Sequence, residues 1–405
     1  MGPRSRWPAG LALFGAVLGL VFASYSTLDY AAHLDRRLHN IHCSFIPGAP
    51  PTSEAEACRA AMYSPYSALF KGQYWGGIPI SLFALGAFSF LAGFALYLLL
   101  SGPRSPKKAV VFQAVVGTTP LLVSLLMLAI SVIKLGEICK VCAGIYFSST
   151  LLATGSLIGL MTLKGRGAQA MDAPPRPGIN IVFPVLWLAA LAVITLIPSF
   201  VYASTMPDQR PYLSTCGKLK KASESHNALI KMSTPASVQP TTLFEDPLCP
   251  TCKAFHERLV SEGVFDKLNV QLALFPLDTE CNWMLDSSLH PGACTVSKAV
   301  LCGGDQARQV LEWAFHDQDY LKRAGKAGEP TLRAVIKKRW GDKMLKCIDA
   351  NSTKVRLNQN LHYAADNNIP VSTPQMYLGQ RRVCDEDTDL GLMYTLQQLA
   401  PQVFK

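Results

Sequence analysis

The sequence has no aromatic-basic stripe. Its net charge of +10 comes from basic residues scattered among acids, which excludes nucleic acid as a partner. It has no histidine cluster: His42, His256 and His290 stand singly and are expected to be structural, with His256 on a solvated helix face. It also has no Ser/Arg-rich transit segment and no clear small-x-small cleavage site ahead of Asp35-Arg36-Arg37. The first apolar stretch is therefore expected to stay as an uncleaved anchor rather than leave as a signal peptide. Charge is limited to 16% of residues, yet this is more than a purely membrane protein carries, and a mean hydropathy of +0.20 is more than a soluble one has. The 405 residues should divide into a membrane half and a soluble half. Twelve cysteines exceed what a reduced cytosol tolerates and place the cysteine-bearing parts in an oxidising compartment.

Five apolar stretches have the roughly 20 residues that a helical crossing requires: Ala9 to Thr27, Ile78 to Leu100, Ala109 to Ile133, Cys139 to Leu163, and Ile179 to Tyr202. The basic turns around Arg104, Lys107 and Lys108 and around Lys164, Arg166 and Arg176 mark one side as cytoplasmic. The long loop from Leu28 to Gly77, with Cys43 and Cys58, then shares the opposite side with Cys139 and Cys142. In Cys139-Lys140-Val141-Cys142 two thiols at i and i+3 occupy one face of the first turn of a span. The positive end of the helix dipole there favours thiol exchange. Four thiols facing one compartment make either a relay or a tetrahedral metal site. The Pro/Gly/Ser-containing segment from Pro47 to Ser53 supplies the mobility a relay needs, whereas a zinc site holds its ligands on tight turns.

The order of these elements resembles the vitamin K epoxide reductase family. The resemblance is carried by a loop cysteine pair, Ser64 six residues after Cys58, and Cys139-x-x-Cys142 with Tyr146 four residues later. Ser64-Pro65-Tyr66-Ser67 leading into Gly77-Ile78-Pro79 at the start of a span adds to it. The fourteen residues between Cys43 and Cys58 depart from the family's shorter spacing. The resemblance implies that Cys142 reacts with quinone, that Cys139 is its disulfide partner, and that Cys43 and Cys58 shuttle electrons, with Cys58 attacking Cys139. It also implies that Ser64 and Tyr146 hydrogen-bond the quinone oxygens, since a carbonyl becoming a hydroxyl in an apolar pocket needs a donor. Read by themselves, Ser64 is a helix cap and Tyr146 an interfacial aromatic.

From Ala203 to about Ser237 the chain turns polar and reads as a tether. Beyond it, a buried strand, Thr241 to Glu245, runs into Cys249-Pro250-Thr251-Cys252 at a helix start, which resembles thioredoxin-like proteins. Pro250 suits the first helical position, and Cys249 sits where the dipole stabilises a thiolate. A second strand covers Val270 to Phe275. Pro374 is expected to be the cis proline beside the active cysteines, Gly379-Gln380 to turn a hairpin, and Asp387 to Leu399 to form the closing helix. An insertion from about Leu277 to Tyr363, helical over Val296 to Phe315 and Leu332 to Trp340, resembles the periplasmic thiol-oxidase branch of that superfamily. Cys281 and Cys294 flank a polar Pro/Gly loop and are expected to form a structural disulfide; Cys216, Cys302, Cys347 and Cys384 remain, and the sequence alone does not decide how they pair.

The expected architecture is thus a multi-domain chain. An all-α membrane bundle spans residues 1–205, with five transmembrane helices of which four form the quinone-binding bundle. A linker covers 206–237, and an α/β thioredoxin-like domain with a helical insertion covers 238–405. The expected function is quinone-dependent disulfide generation in secreted proteins, with ubiquinone or menaquinone as acceptor, no metal, and no nucleic acid. The expected setting is the bacterial inner membrane, multi-pass in the lipid bilayer, with the thioredoxin-like domain in the periplasm among its thiol-protein substrates. Two other readings use the same residues: a quinone or vitamin K reductase fed by the soluble domain, and a membrane metal-binding protein.

Overall fold

Apolar runs too long for strands form the helices of the first half, because a chain crossing lipid must satisfy its backbone internally. The structure, a computed structural model, describes residues 6–34, 61–102, 105–135, 138–164, 182–224, 226–232, 239–385 and 390–404. It divides into two units, Met1–Pro207 and Asp208–Lys405.

In the first unit, α1 (Trp7–Leu34), α2 (Ile80–Ser101), α3 (Lys107–Gly117), α4 (Thr119–Ile130), α5 (Lys140–Lys164) and α6 (Val182–Thr205) supply five membrane-length apolar spans, α3 and α4 together making the third, and a short antiparallel pair, β1 (Ala68–Leu69) and β2 (Ile78–Pro79), precedes α2. That third span, expected as one helix, breaks at Pro120, which has no N–H to offer the Val116 carbonyl. The Thr119 hydroxyl donates to that carbonyl instead at 2.7 Å, and Thr118 donates to Val115 O at 2.8 Å. The span then widens into a π turn over Ser131–Leu135. Helices α1 and α5 approach through small residues: a Cβ on Gly15 would lie 2.4 Å from Leu152 N, and one on Gly155 would lie 2.5 Å from Ala12 N. In lipid, where burial of apolar surface gives no advantage between helices, this close packing holds the pair together.

The second unit is built on a five-stranded mixed sheet in the order β3-β5-β4-β6-β7: β3 Ile230–Lys231, β4 Pro240–Glu245, β5 Asn269–Leu274, β6 Gln375–Leu378 and β7 Arg381–Val383. β4 and β5 are parallel, with Thr241 opposite Val270, and the other pairs are antiparallel. The parallel pair needs a crossover, supplied by α7 (Pro250–Ser261). Gly379, at φ +58°, turns the β6-β7 hairpin.

The insertion consists of α8 (Ala293–Cys302), α9 (Ala307–His316), α10 (Gln318–Ala327), α11 (Glu329–Trp340), α12 (Asp342–Asp349) and α13 (Asn351–Asp366). The expected single helix from Val296 to Phe315 is two, parted where Gly304 takes φ +53°. Helix α14 (Leu392–Leu399) closes the unit.

The stretch expected as a tether is largely part of this unit. Cys216 is disulfide-bonded to Cys384, Leu219 N donates to Gln380 O at 2.8 Å, and β3 covers the outer edge of β5. Its apolar residues decide this, since Leu219, Ala228 and Ile230 are all buried.

Candidate functional site

Among the described residues, six cysteines are joined as Cys216–Cys384, Cys281–Cys294 and Cys302–Cys347, and the other four are Cys139, Cys142, Cys249 and Cys252. These four make up the two Cys-x-x-Cys motifs, one in each unit. Cys43, Cys58 and His42 lie outside the described residues.

In the membrane unit, Cys139 is buried immediately before α5, its carbonyl accepting Ala143 N at 2.9 Å, and Cys142 stands in the first turn of that helix. Both line an apolar cavity of about 460 Å³, together with Asp29, Ser64 and Tyr146. The volume falls in the range of small-molecule sites, and a mostly apolar wall with few polar groups suits a quinone ring. The Tyr146 hydroxyl is within hydrogen-bonding reach of Ser131 in the π turn. Ser64 is buried, and its hydroxyl donates to Ala61 O at 2.8 Å, so its proton is already engaged in the local turn.

In the soluble unit, Cys249 is the N-cap of α7, with Pro250 at the first helical position. Its sulfur lies 2.9 Å from Thr251 Oγ1 and 3.6 Å from Thr373 O, which precedes the cis bond to Pro374. The cis-proline loop and the cysteine pair are therefore adjacent. Donation from the Cys252 thiol lowers the Cys249 pKa to about 4 against the opposing effect of burial, and Thr251 and Thr373 add to the lowering. Burial pushes Cys252 up, and its sulfur accepts Asp246 N at 3.4 Å. One thiol is ready to act as a nucleophile or leaving group at neutral pH; the other is held protonated beneath it.

Two features went unread in the sequence. His256, expected on a solvated face, is 2% exposed and packed between Phe265 and Phe315, with Nδ1 3.5 Å from Glu245 Oε2. It lies one turn after Cys252, on the face of α7 that is buried together with Cys252, Phe255 and Leu259, while Ala254, Glu257 and Val260 stay exposed on the other face. Among the described residues, neither the His256 nitrogens nor the Glu245 oxygens have a hydrogen-bond partner, which leaves an apolar-walled ionisable pair under Cys252. His290 is joined to the fully buried Asp246 carboxylate, Nδ1 to Oδ2, at 2.7 Å. The signal available was an acid three residues before the Cys-x-x-Cys; nothing local tied His290 to it.

No curated protein matches the chain. Among solved structures, the oxidoreductase NmDsbA1 from N. meningitidis is 16% identical, covering 46% of this chain and 90% of its own, with a TM-score of 0.32. A thioredoxin-like oxidoreductase from Silicibacter pomeroyi is 16% identical over 40% of this chain and 87% of its own, with a TM-score of 0.28. Proteus mirabilis ScsC is 14% identical over 60% and 98%, with a TM-score of 0.28. Such scores add nothing to the topology, and it is the mixed sheet, crossover helix, cis proline and helix-start Cys-x-x-Cys that make the second unit thioredoxin-like. The chain is a multi-pass membrane redox enzyme acting on thiols. Residues 11–157, within the membrane unit, match the family model described as the vitamin K epoxide reductase family.

Proposed function

We propose that the protein generates disulfide bonds in secreted proteins and delivers the electrons to quinone. A substrate thiolate attacks Cys249 of the Cys249–Cys252 disulfide; a second substrate thiol resolves the mixed disulfide, leaving one new substrate disulfide and two reduced cysteines. Exchange with the Cys43–Cys58 disulfide returns this pair to the oxidised state. Cys58 then attacks Cys139 of the Cys139–Cys142 disulfide, and the two electrons and two protons released when that bond re-forms leave through Cys142 to quinone, ubiquinone or menaquinone. Tyr146 and Ser64 orient the quinone oxygens, with Ser64 turning its hydroxyl away from Ala61 O to do so, and Pro374 presents the substrate backbone to Cys249. The soluble unit lies in the periplasm of a bacterial inner membrane. Joining both pairs in one chain raises their effective concentration to about millimolar.

The observation that carries this reading is the cavity of about 460 Å³ with Cys142 and Tyr146 on its wall. The low pKa of Cys249 favours the oxidase direction over a quinone reductase fed by this domain, because a stabilised thiolate stabilises the reduced pair and makes its disulfide oxidising. The test is quinone reduction by the purified protein in detergent, driven by a reduced unfolded protein. Substrate disulfides and quinol should form together, and Cys249→Ala or Cys142→Ala should abolish both. Continued quinone reduction by Cys249→Ala would move the reductase reading ahead.

A further inference from the structure

A loop remote in sequence from Cys249 is fastened beside it with unusual thoroughness. The Cys281–Cys294 disulfide closes it. Asp278, buried at its start, accepts Ser288 Oγ at 2.9 Å and Gly292 N at 2.8 Å. Leu277 O accepts both Leu289 N and His290 N, at 2.9 and 3.0 Å. The residue so fixed is His290, whose imidazole meets Asp246 at 2.7 Å with 14% of its side chain exposed. Asp246 in turn belongs to the cysteine motif. Its carboxylate accepts Leu248 N at 2.7 Å and Leu277 N at 2.8 Å, its carbonyl accepts Cys249 N at 3.0 Å, and its N–H reaches Cys252 Sγ. One carboxylate therefore ties the start of the loop, the imidazole and the turn before Cys249 into a single unit.

We propose that His290 is a positioning residue of the Cys249 centre: an imidazolium held on Asp246 whose charge and the Cys249 thiolate stabilise each other, the disulfide-closed loop existing to place it. The cysteine motif itself carries Pro250 and Thr251 and no cation between its thiols, and the loop brings the His290 imidazole to the Asp246 carboxylate that precedes it. The charged groups facing His290 are Asp246, Cys249 and Lys322 on α10. Burial and Lys322 oppose the imidazolium, but Asp246 and the Cys249 thiolate prevail and raise the His290 pKa. A raised pKa places the stabilising effect below that pKa and removes it as pH rises through it. Coupling is reciprocal, so reducing Cys249–Cys252 draws a proton onto His290.

The inference rests on Cys249 being the reactive thiol, and its test needs no quinone. The full-length protein is equilibrated in glutathione buffers from pH 5 to 9, and the redox state of Cys249 is read by alkylation and peptide mapping. His290→Gln keeps a donor for Asp246 and removes the charge. It should shift the equilibrium toward the disulfide by about threefold at pH 6, with the difference shrinking toward pH 9. An unchanged equilibrium, or a shift of equal size at every pH, would overturn the role. Should His290→Gln not fold, labelled-histidine NMR of the unaltered protein decides. The His290 pKa should be higher in the reduced than in the oxidised form, and equal values refute the coupling. Wild-type protein that exchanges no disulfide at Cys249 would sink both this and the proposed function; normal exchange with an unshifted variant sinks this alone.

Discussion

Replacing Thr251 by Val keeps the shape beside Cys249 and deletes one hydroxyl. In the thiol form that hydroxyl donates to Thr373 O at 3.1 Å; when Cys249 ionises it can turn to the sulfur 2.9 Å away. A hydrogen bond to a charged group is worth about 1.5 to 3 kcal/mol. Thr251 is exposed and gives up its Thr373 contact on turning, so the net stabilisation of the thiolate should be about 1 kcal/mol, below that range. One pKa unit is about 1.36 kcal/mol, so the Cys249 pKa should rise by somewhat under one unit. Because only the reduced form carries the thiolate, the variant's disulfide should be a weaker oxidant by about 20 mV. Cys249 alkylation rates against pH give the first quantity and glutathione equilibration the second. A pKa that stays in place or falls would refute the assignment of Thr251 as a thiolate donor.

The reduced protein should gain stability relative to the oxidised one as pH rises from about 4 toward about 8.5, because Cys249 is depressed to about 4 when folded and ordinary when unfolded. Thermal melts of the two redox forms across that window check the sign. Gln318→Leu deletes amide bonds to Pro247 O at 3.1 Å and Cys249 O at 3.0 Å; leaving those carbonyls unpaired should cost about 1 to 3 kcal/mol, read from denaturant unfolding of the soluble unit's fluorescence. Gly155→Leu drives a side chain into Ala12 backbone and should destabilise the α1-α5 pair by about 3 kcal/mol or more, seen as a lower melting midpoint in detergent.

Much of this was legible in the chain because the signals are local. Apolar length announced the spans, and a strand running into Cys-Pro-Thr-Cys announced β4 and α7. What was not legible came from contacts that only tertiary structure makes. The segment with Cys216 and Ile230 is polar enough to read as a tether, yet a disulfide and an edge strand fasten it to the sheet. His256 looked solvated because periodicity within α7 cannot report that Phe315, from α9, closes over it. His290 lies 44 residues from Asp246, and no spacing rule links them. The third span read as continuous because hydropathy does not register the backbone donor that Pro120 lacks.

The decisive measurement is anaerobic and stoichiometric: fully reduced protein is mixed with excess quinone, quinol is counted, and each cysteine is mapped as thiol or disulfide over time. The relay predicts that the Cys139–Cys142 disulfide appears with the first quinol, that Cys249–Cys252 follows, and that Cys142→Ala yields no quinol. Quinol formed at the normal rate by Cys142→Ala would contradict it.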